Sequence, residues 1–484
     1  MPTPTLLWYD YETTGTDRVR DRPVQFAAIR TDPELRVVGG STVLYCAPAA
    51  DLLPQPEACL ITGITPQEAA RKGIIEAEFA GAVHELLAEP GTCSAGYNSI
   101  RFDDEVNRNL FYRNFLDPYA HTWKNGTARW DILDLTRACY ALRPDGIEWP
   151  RGDDEAPSFK LDRLAPANHL KQDRAHDALS DVEATLGLAR LLRARQPRLY
   201  AWHFALRNKQ AASAQLAAAL PAMQPLLHVS GRYPAPRGCL AMVAPIAEHP
   251  ERAGTFIVAD LGVDPRGWME LDPDALIERM FTPRADLPED LERPPLKEVH
   301  GNKSPFLAPL SVLQDTDTAR IALDPDACLH NLETLRGCDG LRERVRQAFA
   351  ASTRRWPERE DPECRLYAGF PSPADKRRGE AVRATPPAQL GTTAFAFDDQ
   401  RYAELLFRYR ARNWPDTLAS DERERWRGFV RAKLSHATDT TALTLDDYRA
   451  TLARLRKEHP PGPKQTVLDQ LQAWGETVAA EFGL

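Results

Sequence analysis

An apolar run that ends in two acids constrains the start of this chain more than any other feature. Leu6-Leu-Trp-Tyr9 reads as a short strand, and Asp10-Tyr-Glu12 stands at its end. Residues i and i+2 of a strand face the same side, so the two carboxylates project together from a sheet edge. Like charges that close repel unless a cation neutralises them, and oxygen-only donors suit Mg²⁺ or Mn²⁺. Taken alone, a solvated strand end with two acids is the simpler reading.

The residues that follow fit an α/β layer. Val24-Gln-Phe-Ala-Ala-Ile29 and Ser41-Thr-Val-Leu-Tyr45 are two more strand candidates, rich in β-branched and aromatic residues. Pro66 to Lys72 reads as a helix opened by Thr65 as N-cap. Ile75 to Leu87 reads as a second helix. In Ala175 to Arg195, Ala178, Val182, Thr185, Ala189 and Leu192 recur at helical spacing. Strands first, then helices and strands mixed, predict an α/β domain.

The chain has 484 residues, and at roughly 150 residues per domain that predicts about three domains. Arg195-Gln-Pro-Arg-Leu199 looks like one junction and Thr353 to Pro362 like another. Between them, Cys239 to Val243 and Thr255 to Ala259 predict a small β-rich domain. Beyond Asp398 the pattern is helical: Ala403 to Arg412, Asp421 to Leu434, Leu445 to Glu458 and Gln465 to Phe482. The eight cysteines form no C-x-x-C pair. That fits reduced thiols in a cytoplasm and argues against a zinc knuckle or a disulfide framework. No apolar run reaches the ~18 residues of a membrane span, and Met1-Pro-Thr-Pro-Thr5 lacks the basic stretch of a signal peptide.

Two further motifs join the first. In Asn98-Ser-Ile-Arg-Phe-Asp-Asp104, Asn98 is suited to hold a loop, Phe102 to pack beneath it and Asp103 to present a carboxylate at a helix start. A helix-start acid favoured by the macrodipole accounts for Asp103 equally well. In His176-Asp-Ala-Leu-Ser-Asp181 the His and the last Asp are five apart, about 140° around an ideal helix. The His must therefore sit on the loop or first turn, where a neutral imidazole can accept a proton. An exposed cap residue, or a His-Asp metal-binding dipeptide of an unrelated phosphohydrolase class, also fits.

Together, Asp-x-Glu-Thr, Asn-x-x-x-Phe-Asp and His-x₄-Asp resemble the ordered signature of DEDD-type 3′→5′ exonucleases of the histidine (DEDDh) variant. The resemblance extends along the chain. Arg22-Pro-Val-Gln-Phe-Ala-Ala-Ile-Arg-Thr-Asp32, Leu60-Ile-Thr-Gly-Ile-Thr-Pro-Gln-Glu68, Gly96-Tyr-Asn98, Arg101-Phe-Asp-Asp-Glu105, Phe111-Tyr-Arg-Asn-Phe115, Arg137-Ala-Cys-Tyr-Ala-Leu-Arg-Pro144 and Leu406-Phe-Arg-Tyr-Arg-Ala-Arg-Asn413 are similar to the bacterial exodeoxyribonuclease I family.

That resemblance implies an RNase H-like (DnaQ-like) exonuclease domain over 1–196, with a mixed sheet flanked by helices. An SH3-like middle domain over 197–352 and a helical C-terminal domain over 353–484 follow, together C-shaped. It implies processive 3′→5′ hydrolysis of single-stranded DNA to 5′-mononucleotides, with a role in repair and recombination. Two Mg²⁺ ions about 3.5–4 Å apart, replaceable by Mn²⁺, are held by Asp10, Glu12, Asp103 and Asp181, and His176 is the general base. Glu12 and Thr13 meet the terminal nucleotide. Arg108, Tyr119, Trp123, Arg137 and Lys160 meet the strand, Lys160 standing where relatives can carry Arg. Arg207, Lys209 and the Arg408, Arg410, Arg412 cluster with Tyr409 and Trp414 are expected to line a channel or dock a partner; a solvated amphipathic helix is the bland reading of 401–414. Expected partners are single-stranded DNA with a free 3′ end and the C-terminal tail of single-strand DNA-binding protein. The chain is expected to be a monomer in the bacterial cytoplasm, with no membrane association.

The net charge of −8 points away from nucleic acid, because counterion release needs clustered Lys and Arg. The balance is uneven, however. Residues 201–250 carry four bases against one acid, and residues 251–300 six against twelve, so the total excludes a uniform basic coat but not a local groove. A non-catalytic strand-binding module on a decayed nuclease fold is disfavoured, since all five catalytic positions hold competent residues. An RNase or proofreading subunit shares the three motifs but lacks the added domains and the Arg-Tyr-Arg-Ala-Arg run.

Overall fold

The computed structural model describes residues 4–172, 175–288, 291–351 and 359–484. The chain forms two compact units, one of Met1–Ala128, Gln172–Leu186 and Pro357–Leu484, the other of Arg129–Lys171 and Gly187–Trp356. The junction expected at Thr353 to Pro362 lies largely outside the described residues.

The first unit is built on strands β1 (Thr5–Thr13), β2 (Pro23–Thr31), β3 (Val37–Tyr45) and β4 (Thr92–Gly96). With β5 (Ala128–Asp131), where the chain passes to the second unit, they make a sheet of order β3-β2-β1-β4-β5. β1 pairs antiparallel to β2 and parallel to β4, so the sheet is mixed, as expected. Helices α1 (Pro56–Thr62), α2 (Pro66–Lys72), α3 (Glu76–Ala88) and α4 (Asp103–Arg113) follow. The α2 helix has the predicted bounds, and the Thr65 side chain caps it by accepting from the Glu68 amide. Alternation along β1 sorts its side chains. Leu7, Tyr9 and Tyr11 enter a core with Phe26, Phe79, Val83, Leu110 and Phe111, while Trp8, Asp10 and Glu12 take the other face.

The second unit holds α5 (Leu133–Leu142), α6 (Leu161–Ala167), the C-terminal part of α7 (Ala178–Arg195), α8 (Pro197–Leu206) and α9 (Lys209–Ala219). Strands β6 (Leu226–Val229), β7 (Leu240–Glu248), β8 (Thr255–Asp260), β9 (Leu296–His300) and β10 (Phe306–Pro309) form an antiparallel sheet of order β10-β6-β7-β8-β9. Helices α10 (Pro273–Phe281), α11 (Pro325–Arg336) and α12 (Leu341–Ala351) complete it. The predicted β-rich region is present, but α8 and α9 precede it. Arg207, expected at a DNA channel or docking face, is half-exposed and lays its guanidinium 3.6 Å over the Phe204 ring.

The remainder of the first unit is helical: α13 (Pro373–Ala384), α14 (Arg401–Asn413), α15 (Ser420–Ser435), α16 (Leu445–Glu458) and α17 (Pro463–Phe482). Phe407, Tyr448, Leu452, Leu468 and Phe482 share one core with Leu53 and Cys59. Beside it lies a buried ionic network. Arg412 pairs with Asp51 (2.9 Å) and Glu363, Lys433 with Asp51 (2.8 Å), Arg408 with Asp361 (2.7 Å), and Arg22 with Glu76 (2.8 Å). This overturns both expectations for the Arg408, Arg410, Arg412 cluster. All three side chains are buried, Arg410 against Glu422, and Tyr409 is in the core with Phe115 and Tyr402. Guanidiniums satisfied by facing carboxylates can lie inside a protein where unpaired ones cannot.

Candidate active site

Three segments of the first unit converge. The first is the end of β1, where a register shift between Glu12 and Thr13 breaks pairing with β2. There Thr13 donates its hydroxyl to the Gly15 carbonyl (2.6 Å) and turns the chain. The second is the start of α4. Asn98 adopts a left-handed φ of 62°, and its carbonyl accepts from the Arg101 and Phe102 amides. Asp103 is thereby set as the first helical residue. Tyr11 donates its hydroxyl to Asn107 (2.7 Å), Asn107 donates to Tyr9, and the Tyr11 amide donates to Asp103 Oδ1 (3.2 Å), so α4 is fastened to β1. The third is the start of α7, where buried Gln25 on β2 accepts from the Ala178 amide (3.0 Å).

On this frame Asp10, Glu12 and Asp181 bring one carboxylate oxygen each within 4.8 Å of the others. Asp103 stands beside the trio on α4. Burial, then the charges of Asp103, Glu12 and Asp181, push Asp10 well above the ordinary carboxylate range. Burial, then Asp181, Asp103 and Asp177, push Glu12 up to about 8. Burial also raises Asp181, against hydrogen bonds from Gln172 (2.7 Å) and the His176 amide (3.1 Å). Buried carboxylates that mutually repel are a site for hard cations, and an all-oxygen donor set fits divalent metal. His176 is exposed, with φ 64°, on the turn before α7. The helix starts at Ala178 rather than Ala175, which leaves the imidazole off its surface.

Of the expected strand contacts, Trp123 is exposed and Tyr119 half-buried. Arg108 is engaged by Glu105 (2.7 Å) and the Tyr367 hydroxyl (3.2 Å). In the second unit Lys160 is exposed at the N-cap of α6, and Arg137 pairs with Asp134 (2.7 Å). The alternating basic and aromatic residues of this stretch divide, because Tyr112, Arg113 and Trp130 are buried. Gln25, Asn107, Gln172 and Tyr367 were not singled out from sequence. A Gln inside the apolar run Val24 to Ile29 was the available signal for the first; the others have none.

The profile of the Exonuclease family matches residues 7–189, the Exonuclease I SH3-like domain residues 207–351, and the Exonuclease I C-terminal domain residues 360–478. Exodeoxyribonuclease I of Escherichia coli K12 is 49% identical over 422 residues, covering 87% of this chain and 88% of its own. Among solved structures, exonuclease I of Methylocaldum szegediense superposes with a TM-score of 0.93 at 45% identity, covering 98% of this chain and 99% of its own. E. coli exonuclease I in complex with a dA16 oligonucleotide gives 0.92 at 45%, covering 98% and 100%. At 44% identity, covering 99% of this chain and all of theirs, are a zinc-ion-bound E. coli exonuclease I–ssDNA complex (TM-score 0.91) and an SSB/exonuclease I complex with an inhibitor (TM-score 0.88). The chain is a nuclease and belongs to the exodeoxyribonuclease I family.

Proposed function

We propose that this protein hydrolyses the 3′-terminal phosphodiester of single-stranded DNA, working processively 3′→5′ and releasing 5′-mononucleotides, as a monomer in DNA repair in the bacterial cytoplasm. The carrying observation is the trio Asp10, Glu12 and Asp181, Glu12 buried and the other two half-buried, oxygens within 4.8 Å of one another, with Asp103 beside it. These four would hold two divalent ions, Mg²⁺ in the cell with Mn²⁺ able to substitute. The ions would activate the attacking water and stabilise the leaving 3′ oxygen. Glu12 and Thr13, at the bulged end of β1, orient the terminal nucleotide. His176 is the general base, its position off the helix leaving the imidazole able to take the proton. Arg108, Tyr119, Trp123, Arg137 and Lys160 hold the strand, and the middle and C-terminal regions retain it between cuts. The three functional regions are 1–196, 197–352 and 353–484.

The second proposed partner is the acidic, apolar C-terminal tail of single-strand DNA-binding protein. The site proposed for it is a cavity of about 480 Å³ in the second unit, lined by Tyr140, Pro144, Trp149 and Pro157, with Arg151 and Arg320 as its cations against the acids Asp154 and Glu155. Charge reversal at Arg151 should abolish binding of a tail peptide; undiminished binding refutes that location.

End-labelled DNA and RNA oligonucleotides, single- and double-stranded, with Mg²⁺ or EDTA, test the activity. Single-stranded DNA should shorten from its 3′ end with Mg²⁺ only. Asp181→Ala should lose cleavage while binding the strand in EDTA; near-normal turnover by this variant removes Asp181 from the site.

A further inference from the structure

Asp181 is gripped at both carboxylate oxygens. The Gln172 side-chain amide donates to Oδ1 (2.7 Å) and the His176 backbone amide to Oδ2 (3.1 Å). Each carboxylate oxygen carries two lone pairs, so one donor on each leaves each with a second for a cation.

The position of Asp181 and the direction of its carboxylate have separate causes. Position comes from the start of α7. The Ala178 amide donates to Gln25 on β2 (3.0 Å), and Gln25 in turn donates to the Tyr45 hydroxyl (2.8 Å). Asp177 caps the helix by accepting from the Ser180 amide (3.3 Å). These bonds place the backbone of Asp181 in the first turn and leave its side-chain torsions open. The charges of Asp10 and Glu12, which share the 4.8 Å cluster, favour a carboxylate turned away from them. The Gln172 donor opposes that repulsion and fixes which way the two oxygens face. A neutral amide suits this role. It donates at any pH, brings no positive charge to compete with a cation as a lysine would, and adds no repulsion as a glutamate would.

We propose that Gln172 is a positioning residue of the metal site, aiming the Asp181 carboxylate at the cation it binds. Partners that hydrogen-bond a ligating carboxylate fix its orientation, and their loss costs about 10- to 100-fold in metal affinity or activity. The proposal rests on the divalent-metal reading above and adds to it a residue that acts through a ligand rather than as one.

The test uses the full-length protein with Gln172→Met, which keeps the length of the side chain and removes the donor, and Gln172→Glu, which keeps the shape and replaces the donor with a charge. Mn²⁺ affinity is read by calorimetry without DNA, half-saturating Mg²⁺ from cleavage of single-stranded DNA, and melting temperature in EDTA. Gln172→Met should weaken Mn²⁺ binding about 10- to 100-fold and raise half-saturating Mg²⁺ by the same factor, with the melting temperature in EDTA unchanged. Gln172→Glu should melt lower in EDTA, because another carboxylate joins the cluster, and Mn²⁺ should remove that deficit. Mn²⁺ affinity of Gln172→Met within about twofold of wild type overturns the proposal, whether or not its melting temperature falls. So does a Gln172→Glu variant that melts with wild type in EDTA. A wild type that binds no Mn²⁺, or that binds it equally well as Asp181→Ala, overturns the metal-site reading instead.

Discussion

Glu12→Gln should make the metal-free protein more stable, by an amount that depends on pH. Glu12 is 8% exposed and titrates at about 8 against an ordinary 4.5. A carboxyl whose folded pKa is raised favours folding least where the unfolded chain has already lost its proton. Wild-type stability therefore falls as pH rises from 4.5 through 8. At pH 7 the cost is roughly 2.5 pH units at about 1.4 kcal/mol each, about 3 kcal/mol. A neutral amide of the same shape removes it. For a cooperative unit of roughly 270 residues, at about 2.1 cal/mol/K per residue, that is about 5 °C in Tm. Thermal melts in EDTA at pH 4, 7 and 8.5 should show no gain, then about 5 °C, then a larger gain. Mg²⁺ should raise the wild-type Tm more than that of the variant, since a cation relieves the same repulsion. A variant that melts at or below wild type at pH 7, or a gain independent of pH, refutes the reasoning.

His176→Ala should lower the rate with Mg²⁺ by about 10²–10⁴-fold while strand affinity in EDTA stays at wild type; a smaller loss removes it as the base. Arg412→Ala leaves Asp51 and Glu363 buried with a partner missing, and should cost about 3–5 kcal/mol in denaturant melts at pH 7. Its guanidinium helps hold Asp51 well below the carboxylate range and Glu363 at about 2, so the deficit should shrink as pH falls below about 4, where the unfolded carboxylates take up protons. Gly475→Ala places a Cβ 2.7 Å from Tyr448 Cε1. Tyr448 is buried and donates to the Leu471 carbonyl (2.7 Å), so overpacking should cost about 1–3 kcal/mol.

Local chemistry was readable and long-range pairing was not. The Thr65-Pro66 start fixes α2 because cap and first residue are adjacent in sequence, and period-two alternation placed Asp10 and Glu12 on one face. Leu445–Glu458 carries its own apolar stripe and appears with the predicted bounds. Helical periodicity correctly put Arg408 and Arg412 on one face of α14. It carried no information on Asp51, some 360 residues earlier, so whether that face met water or carboxylates was undetermined. α8 and α9 were masked by the β-rich text that follows, although Asn208 caps α9 with two amides from within the next three residues. Tyr367 differs from core aromatics only in exposure, a property of the folded chain.

The inward fate of the α14 arginines bears on how an acidic protein holds a polyanion. Those side chains and their carboxylates neutralise each other inside the first unit, so they add no cations to the surface. The proposed strand contacts supply three cations, Arg108, Arg137 and Lys160, and Lys124 is exposed beside Trp123; Arg108 and Arg137 already face acids. Four phosphate contacts would give a slope of log K against log salt of about −3, at roughly −0.7 per contact on a single strand. Stacking on Tyr119 and Trp123, the proposed aromatic contacts, would contribute affinity that releases no counterions. The affinity measured in EDTA should therefore fall shallowly with salt and persist at ionic strengths that strip a basic-groove binder. Trp123→Ala should lower the whole line without changing its slope, whereas Lys160→Ala should flatten it by about 0.7. A slope steeper than about −5, meaning more than about seven contacts, would show that charge, not stacking, holds the strand.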